Sequence, residues 1–215
     1  MSLLNSYTEE RLPVIAEMLN KTTSLLNETV TASNGADNIK RWQRGTALLM
    51  LGVNCRWSSI VVDDQSPCRG EQQHPVMDSY EAQSDGLKAG DRAPDAPGLK
   101  DIHGGGTMHL FDVFGVAYHM VLVFSDSPER YTGVLDLLSR FPQGTVRSSL
   151  VVRSGTTPVD APSPTMILED TRGHAYSAYS FEEKCDIAVV RPDGVLGAVV
   201  GGPESLKEYF KKMFL

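Results

Sequence analysis

The sequence predicts an α/β fold, a central mixed sheet flanked by helices and preceded by a helical segment, and three observations carry that expectation. From Gly90 onward, apolar runs of strand length alternate with amphipathic stretches of helix length. Arg191-Pro192-Asp193-Gly194 parts two apolar runs as a tight turn between antiparallel strands does. Ahead of Gly90, Leu12, Ile15, Leu19, Leu25 and Leu26 recur at helical spacing.

That spacing predicts a first helix over 6–31, with Ser6 or Thr8 as its cap and Pro13 early, where a missing N–H costs least. A turn at 33–36 leads to a second helical pattern from Asp37 to Met50, with Gly52 as its stop. Ser59–Val62 is a short β-like run ending in Asp63 and Asp64. Residues 63–89 lack apolar periodicity and read as an acidic linker or surface loop. The expected division is therefore 1–62, 63–89 and 90–215. Within the last part, Tyr118–Phe124 is a buried-strand run, Pro128–Phe141 an amphipathic helix, and Val146–Val152 and Thr165–Leu168 further strands. Ile187–Val190 and Val195–Val200 flank the Pro-Asp-Gly turn, and Pro203–Phe214 closes the chain as a helix with Leu206, Tyr209, Phe210 and Met213 on one face. The order β-α-β, β-hairpin, α is that of a thioredoxin-like domain.

Composition limits the partners. The 215 residues carry 20 basic and 27 acidic side chains, a net charge of −7, which disfavours a phosphate backbone or an anionic lipid surface. No stretch has the apolar length of a membrane span, and Glu9 and Glu10 stand where a signal peptide has its apolar core, so a cytoplasmic protein is expected. Three cysteines, Cys55, Cys68 and Cys185, form no CxxC pair and suit a reducing compartment. The five histidines show no metal-type spacing, so no metal is expected.

Four segments, Gly90–Leu99 (GDRAPDAPGL), Leu110–Gly115 (LFDVFG), Tyr118–Phe124 (YHMVLVF) and Val189–Val200 (VVRPDGVLGAVV), resemble in order and spacing the carboxy-terminal thioredoxin-like domain of FAD-dependent aromatic hydroxylases of the phenol 2-monooxygenase group. Leu3–Leu19 is similar to the late helix of their flavin module through Tyr7, Glu10, Arg11, Pro13 and Val14, and Gly52–Asp64 looks like the segment that follows it. The resemblance implies a phenolic or polyketide metabolic setting. The chain contains no GxGxxG strand-turn-helix for the FAD pyrophosphate, so no cofactor is expected. Nor is a thiol present where a working thioredoxin has one, since Phe124-Ser125-Asp126-Ser127-Pro128 offers only hydroxyls and a carboxylate.

Two functions follow as expectations. The first is a redox-inactive interaction or assembly module, in which the apolar stripe of the first helix meets the thioredoxin-like domain, a second copy, or a flavoprotein. The second is a cofactor-free isomerase, dehydratase or cyclase acting on a phenolic or terpenoid ligand between the helical segment and the domain. There Asp63, Asp64, His103 and His119 are the candidate proton donors, and Tyr7, Trp42, Trp57 and Phe111 the candidate apolar walls. A fragment of a longer flavoprotein has the same sequence features. His103-Gly104-Gly105-Gly106 has the form of an esterase oxyanion element, but no G-x-S-x-G nucleophile accompanies it, so a glycine turn is the expected role.

Overall fold

The computed structural model describes residues 3–31, 52–65, 79–80, 86–125, 128–156, 166–180 and 185–214. The expected Asp37–Met50 helix, Trp42, Cys68 and Ser127 lie outside them.

In chain order the elements are α1 (Leu3–Thr31), β1 (Val62–Asp63), β2 (Leu99–Asp101), β3 (Thr107–Met108), a 3-10 turn (Leu110–Val113), β4 (His119–Phe124), α2 (Pro128–Leu138), β5 (Val146–Arg153), β6 (Met166–Asp170), α3 (His174–Ala178), β7 (Ile187–Val190), β8 (Leu196–Val200) and α4 (Pro203–Phe214). The strands make one sheet in the order β1-β8-β7-β4-β5-β6-β2-β3. Parallel β4, β5 and β6 form its centre, and the antiparallel β7–β8 hairpin lies beside β4. This is the predicted thioredoxin-like arrangement, extended at both edges by strands of two or three residues.

Strand alternation divides the core in two. Val121 and Val123 of β4 face α2 and α4, meeting Tyr131, Val134, Leu206, Tyr209 and Phe210. Met120, Leu122 and Phe124 face the opposite layer, built from residues 87–113 and α3, with Leu99, Leu110, Ala175 and Tyr179. His119 shares parity with Val121, so it points to the α4 side.

The β2–β3 hairpin and α3 were absent from the sequence reading, and the β-like run read at Ser59–Val62 is a strand only at Val62–Asp63. The β2–β3 hairpin turns through the His103 glycine run, where Gly105 sits at φ 71° and Gly104 abuts the Asp101 carboxylate. That run is therefore a turn, as expected, although it joins two edge strands. Edge strand β1 pairs in parallel with β8, so the division expected between residues 62 and 63 falls inside a strand of the common sheet.

Candidate functional site

Helix α1 lies against the segment before β1 and the β7–β8 turn by its polar face. Ser6, Glu10 and Val14, at i, i+4 and i+8, are its buried residues. Ser6, expected as a cap, is in fact inside the helix, which begins at Leu3. The apolar row of Leu12, Ile15, Leu19 and Leu26 points away from the domain, with Leu12 63% and Leu19 56% exposed. Of the three surfaces expected to cover it, the thioredoxin-like domain is thereby removed.

Pro13 is also deeper than its sequence position suggested. Without an N–H it leaves the Glu9 carbonyl lacking its intrahelical partner. The indole of Trp57 supplies the substitute, Nε1 donating to Glu9 O at 3.1 Å. The Glu9 carboxylate in turn accepts from Ser59 N at 3.0 Å and Ser59 Oγ at 2.6 Å. Trp57 thus fastens α1 to the segment before β1, and it lines no ligand cavity found among the described residues.

Deeper in the same contact, Arg191 at the start of the β7–β8 turn donates through Nη1 and Nη2 to the two Glu10 oxygens, at 2.7 and 2.9 Å. Nη2 also reaches Asp193 at 2.8 Å, and Ser58 Oγ donates to Glu10 at 2.6 Å. Burial pushes the Glu10 carboxyl up, but the hydrogen bonds from Arg191 and Ser58, with the Arg191 charge, outweigh it and leave the carboxyl below its ordinary value. Burial likewise opposes the Arg191 charge, and Glu10 and Asp193 hold that guanidinium above its ordinary value. Arg11 lies 3.9 Å from Asp193. The Tyr-x-x-Glu-Arg pattern of α1 and the Arg-Pro-Asp-Gly turn, read separately in the sequence, are therefore two halves of one contact.

Beside this contact opens a cleft of about 360 Å³. Helix α1 contributes Tyr7, Glu10 and Arg11, β4 contributes His119, and the turn contributes Arg191 and Asp193. Ile60, Met213 and Phe214 form its apolar part. His119 Nδ1 lies 3.2 Å from the hydroxyl of Tyr209, and edges of Tyr209, Phe210 and Phe214 surround the imidazole, each centroid 5.9 Å away. Burial first, then the Arg191 charge, push the His119 pKa down to about 4 against the pull of Asp193, so the ring is neutral at neutral pH. Tyr209 is held close to the sheet because Gly197 of β8 has no Cβ; one built there would overlap the phenol ring.

Of the residues singled out in the sequence, the cleft brings together Tyr7 and His119. Asp63 instead accepts from Gln65 N at 2.9 Å and Ala89 N at 3.0 Å, and Asp64 from Gly201 N at 3.0 Å, so both brace the β1 edge. His103 is exposed at the β2–β3 turn, and Phe111 leans on Phe114 in the 87–113 layer. The sequence reading did not single out Glu10, Arg191 and Asp193 as a site. Their signal was the spacing of Tyr7, Glu10 and Arg11 on one helical face and an arginine directly before Pro-Asp-Gly. At the far end of β4, the backbone that holds a thiol in working thioredoxins continues into Ser125. Among the other sulfur groups, Cys185 is buried, and burial pushes the Cys55 thiol up to about 12. Among the described residues no group of histidine, cysteine and carboxylate side chains suits a metal ion, and no helix is long and apolar enough to cross a membrane.

Comparison with protein-family models and with curated proteins finds no match. Among solved structures, the flavin-dependent monooxygenase PieE, determined with FAD and substrate, is similar over 98% of this chain and 39% of its own, at 17% identity and a TM-score of 0.60. The thioredoxin domain of a thiol-disulfide oxidoreductase from Bacteroides vulgatus is similar over 60% of this chain and 99% of that domain, at 15% identity and a TM-score of 0.48. A domain of a possible thiol-disulfide isomerase from Cytophaga hutchinsonii covers 60% of this chain with 95% of its own, at 16% identity and a TM-score of 0.43. The likeness to PieE is one of fold, and this chain spans about two fifths of that monooxygenase's length.

Proposed function

We propose that this chain is a redox-inactive assembly module, a relative of the carboxy-terminal region of flavin-dependent phenol hydroxylases that associates through the outer face of α1. One observation carries the reading: α1 is fixed to its domain by a polar face and turns its apolar row outward. The likeness to PieE over nearly the whole chain supports kinship with a flavin monooxygenase part.

The partner we assign to that face is a second copy of the chain. Leu12, Leu19 and Leu26 are spaced by seven residues with Ile15 between them, a seam that suits another helix better than a flat sheet. Thr22 Oγ1 donates to Met18 O at 2.8 Å and Thr29 Oγ1 to Leu25 O at 2.7 Å, so these hydroxyls are satisfied within the helix. A two-fold pairing presents the same row from both copies. Cofactor-free catalysis has the cleft and His119 in its favour, but three of its four proposed proton donors, Asp63, Asp64 and His103, are bound or exposed elsewhere.

Sedimentation velocity of wild type and Leu19→Glu tests the proposal. Wild type is expected to sediment as a dimer. Leu19→Glu should sediment as a monomer with unchanged circular dichroism, because an unpaired carboxylate in an apolar seam costs several kcal/mol. A monomeric wild type at micromolar concentration defeats it.

A further inference from the structure

We infer that the cleft between α1 and the β7–β8 turn binds an uncharged molecule of one or two rings whose carbonyl or hydroxyl oxygen accepts a hydrogen bond from His119 Nε2. The size comes first. A cavity of 150 Å³ is enough for one benzene ring, and small-molecule sites begin near 300 Å³, so about 360 Å³ admits a two-ring skeleton against Ile60, Met213 and Phe214.

Charge selects next. The cleft's two arginines, Arg11 and Arg191, face two carboxylates, Glu10 and Asp193, and Arg191 already makes three charge-assisted bonds to them. The four charges cancel in place, and an ionic ligand would have to break a pair to gain one. An uncharged ligand keeps them intact.

Polarity is then set by a proton count. The Tyr209 side chain is fully buried, and the hydrogen-bond partner of its hydroxyl among the described residues is His119 Nδ1. A buried O–H left without an acceptor is costly, so the phenol donates and Nδ1 accepts. The neutral imidazole then carries its proton on Nε2, which has no hydrogen-bond partner among the described residues. The cleft thus offers a neutral N–H donor beside the apolar side chains of Ile60, Met213 and Phe214, and its complement is a ligand oxygen. This site lies at the opposite end of β4 from Ser125, and it is separate from the outer face of α1, so it stands or falls independently of the assembly proposal.

The test is calorimetric titration with α-tetralone, an uncharged two-ring ketone, alongside tetralin, which lacks the oxygen, and 1-naphthoate, which is charged. Wild type should bind tetralone saturably at one site and both comparison compounds about tenfold more weakly, the worth of one hydrogen bond. His119→Phe keeps a ring in place and removes the donor, so it should weaken tetralone about tenfold and leave tetralin unchanged. No saturable tetralone binding, equal binding by His119→Phe, or tighter binding of 1-naphthoate overturns the inference. Should His119→Phe fail to fold, long-range nitrogen–proton spectra of wild type decide instead: the proton is expected on Nε2 with a shift on adding tetralone, and a proton on Nδ1 or an unmoved signal overturns it.

Discussion

Helices α1 and α4 both border the His119 cleft, but they reach it by different chemistry. Helix α4 sinks Leu206, Tyr209 and Phe210 into the sheet, where Phe210 meets Phe141 at 4.8 Å and the His119 ring at 5.9 Å. Helix α1 is held by Glu10 on Arg191, by Glu9 on Ser59, and by the indole that replaces a proline's missing partner. Apolar burial is non-directional, whereas the α1 contact depends on geometry and charge. A helix attached in the second way can leave while the sheet stays folded.

The largest effect should come from the apolar attachment. Phe210→Ala opens a cavity among four aromatic rings and should cost about 4 kcal/mol in urea unfolding, with the whole domain losing stability together. A loss under about 1 kcal/mol would show that α4 contributes little. Glu10→Ala strands a buried guanidinium and should cost about 3 kcal/mol, but locally. Hydrogen exchange should speed up about a hundredfold in α1 with β4 unchanged, and an equal acceleration in both would erase the contrast between the helices.

Acid separates the same two attachments. His119 refuses a proton that the unfolded chain accepts, so stability should fall as pH drops from 6.5 towards about 4, by up to about 3 kcal/mol. His119→Phe should flatten that slope. Glu10 has the depressed value of a paired carboxylate, so its contribution is present above 4.5 and is lost as pH falls further, through its folded value. Stability curves recorded in that range should show α1 released after the His119 slope has begun. The smallest effect is Trp57→Phe, which leaves Glu9 O without its donor and should cost about 1 kcal/mol, read as a fall of roughly 2–4 °C in Tm.

How legible these features were depended on how locally each is determined. Helix α4 matched its expected span at both ends, and β4 began one residue after its expected start, because a one-sided apolar helix and an unbroken apolar run are written in neighbouring residues. The β2–β3 hairpin and α3 escaped notice since two to five polar-mixed residues carry no period; pairing of β2 with β6 decides the hairpin. Helix α1 was found, but its orientation was not. An apolar row normally faces inward, and here buried ion pairing with Arg191, 181 residues away in sequence, turns the other face to the β7–β8 turn. The candidate site was missed for the same reason: Glu10 and Arg191 look like surface charges until the fold brings them together.

That long separation also orders events during synthesis. Helix α1 leaves the ribosome before its guanidinium anchor, which is translated 181 residues later, roughly 10–40 s at ordinary elongation rates. For that interval Glu10 has no Arg191 to meet, and the leucine row of a nascent helix is already exposed to whatever else is in the cell. Helix α1 is thus committed to waiting for the β7–β8 turn, and chaperone capture of the α1 segment should be most frequent before that turn is made.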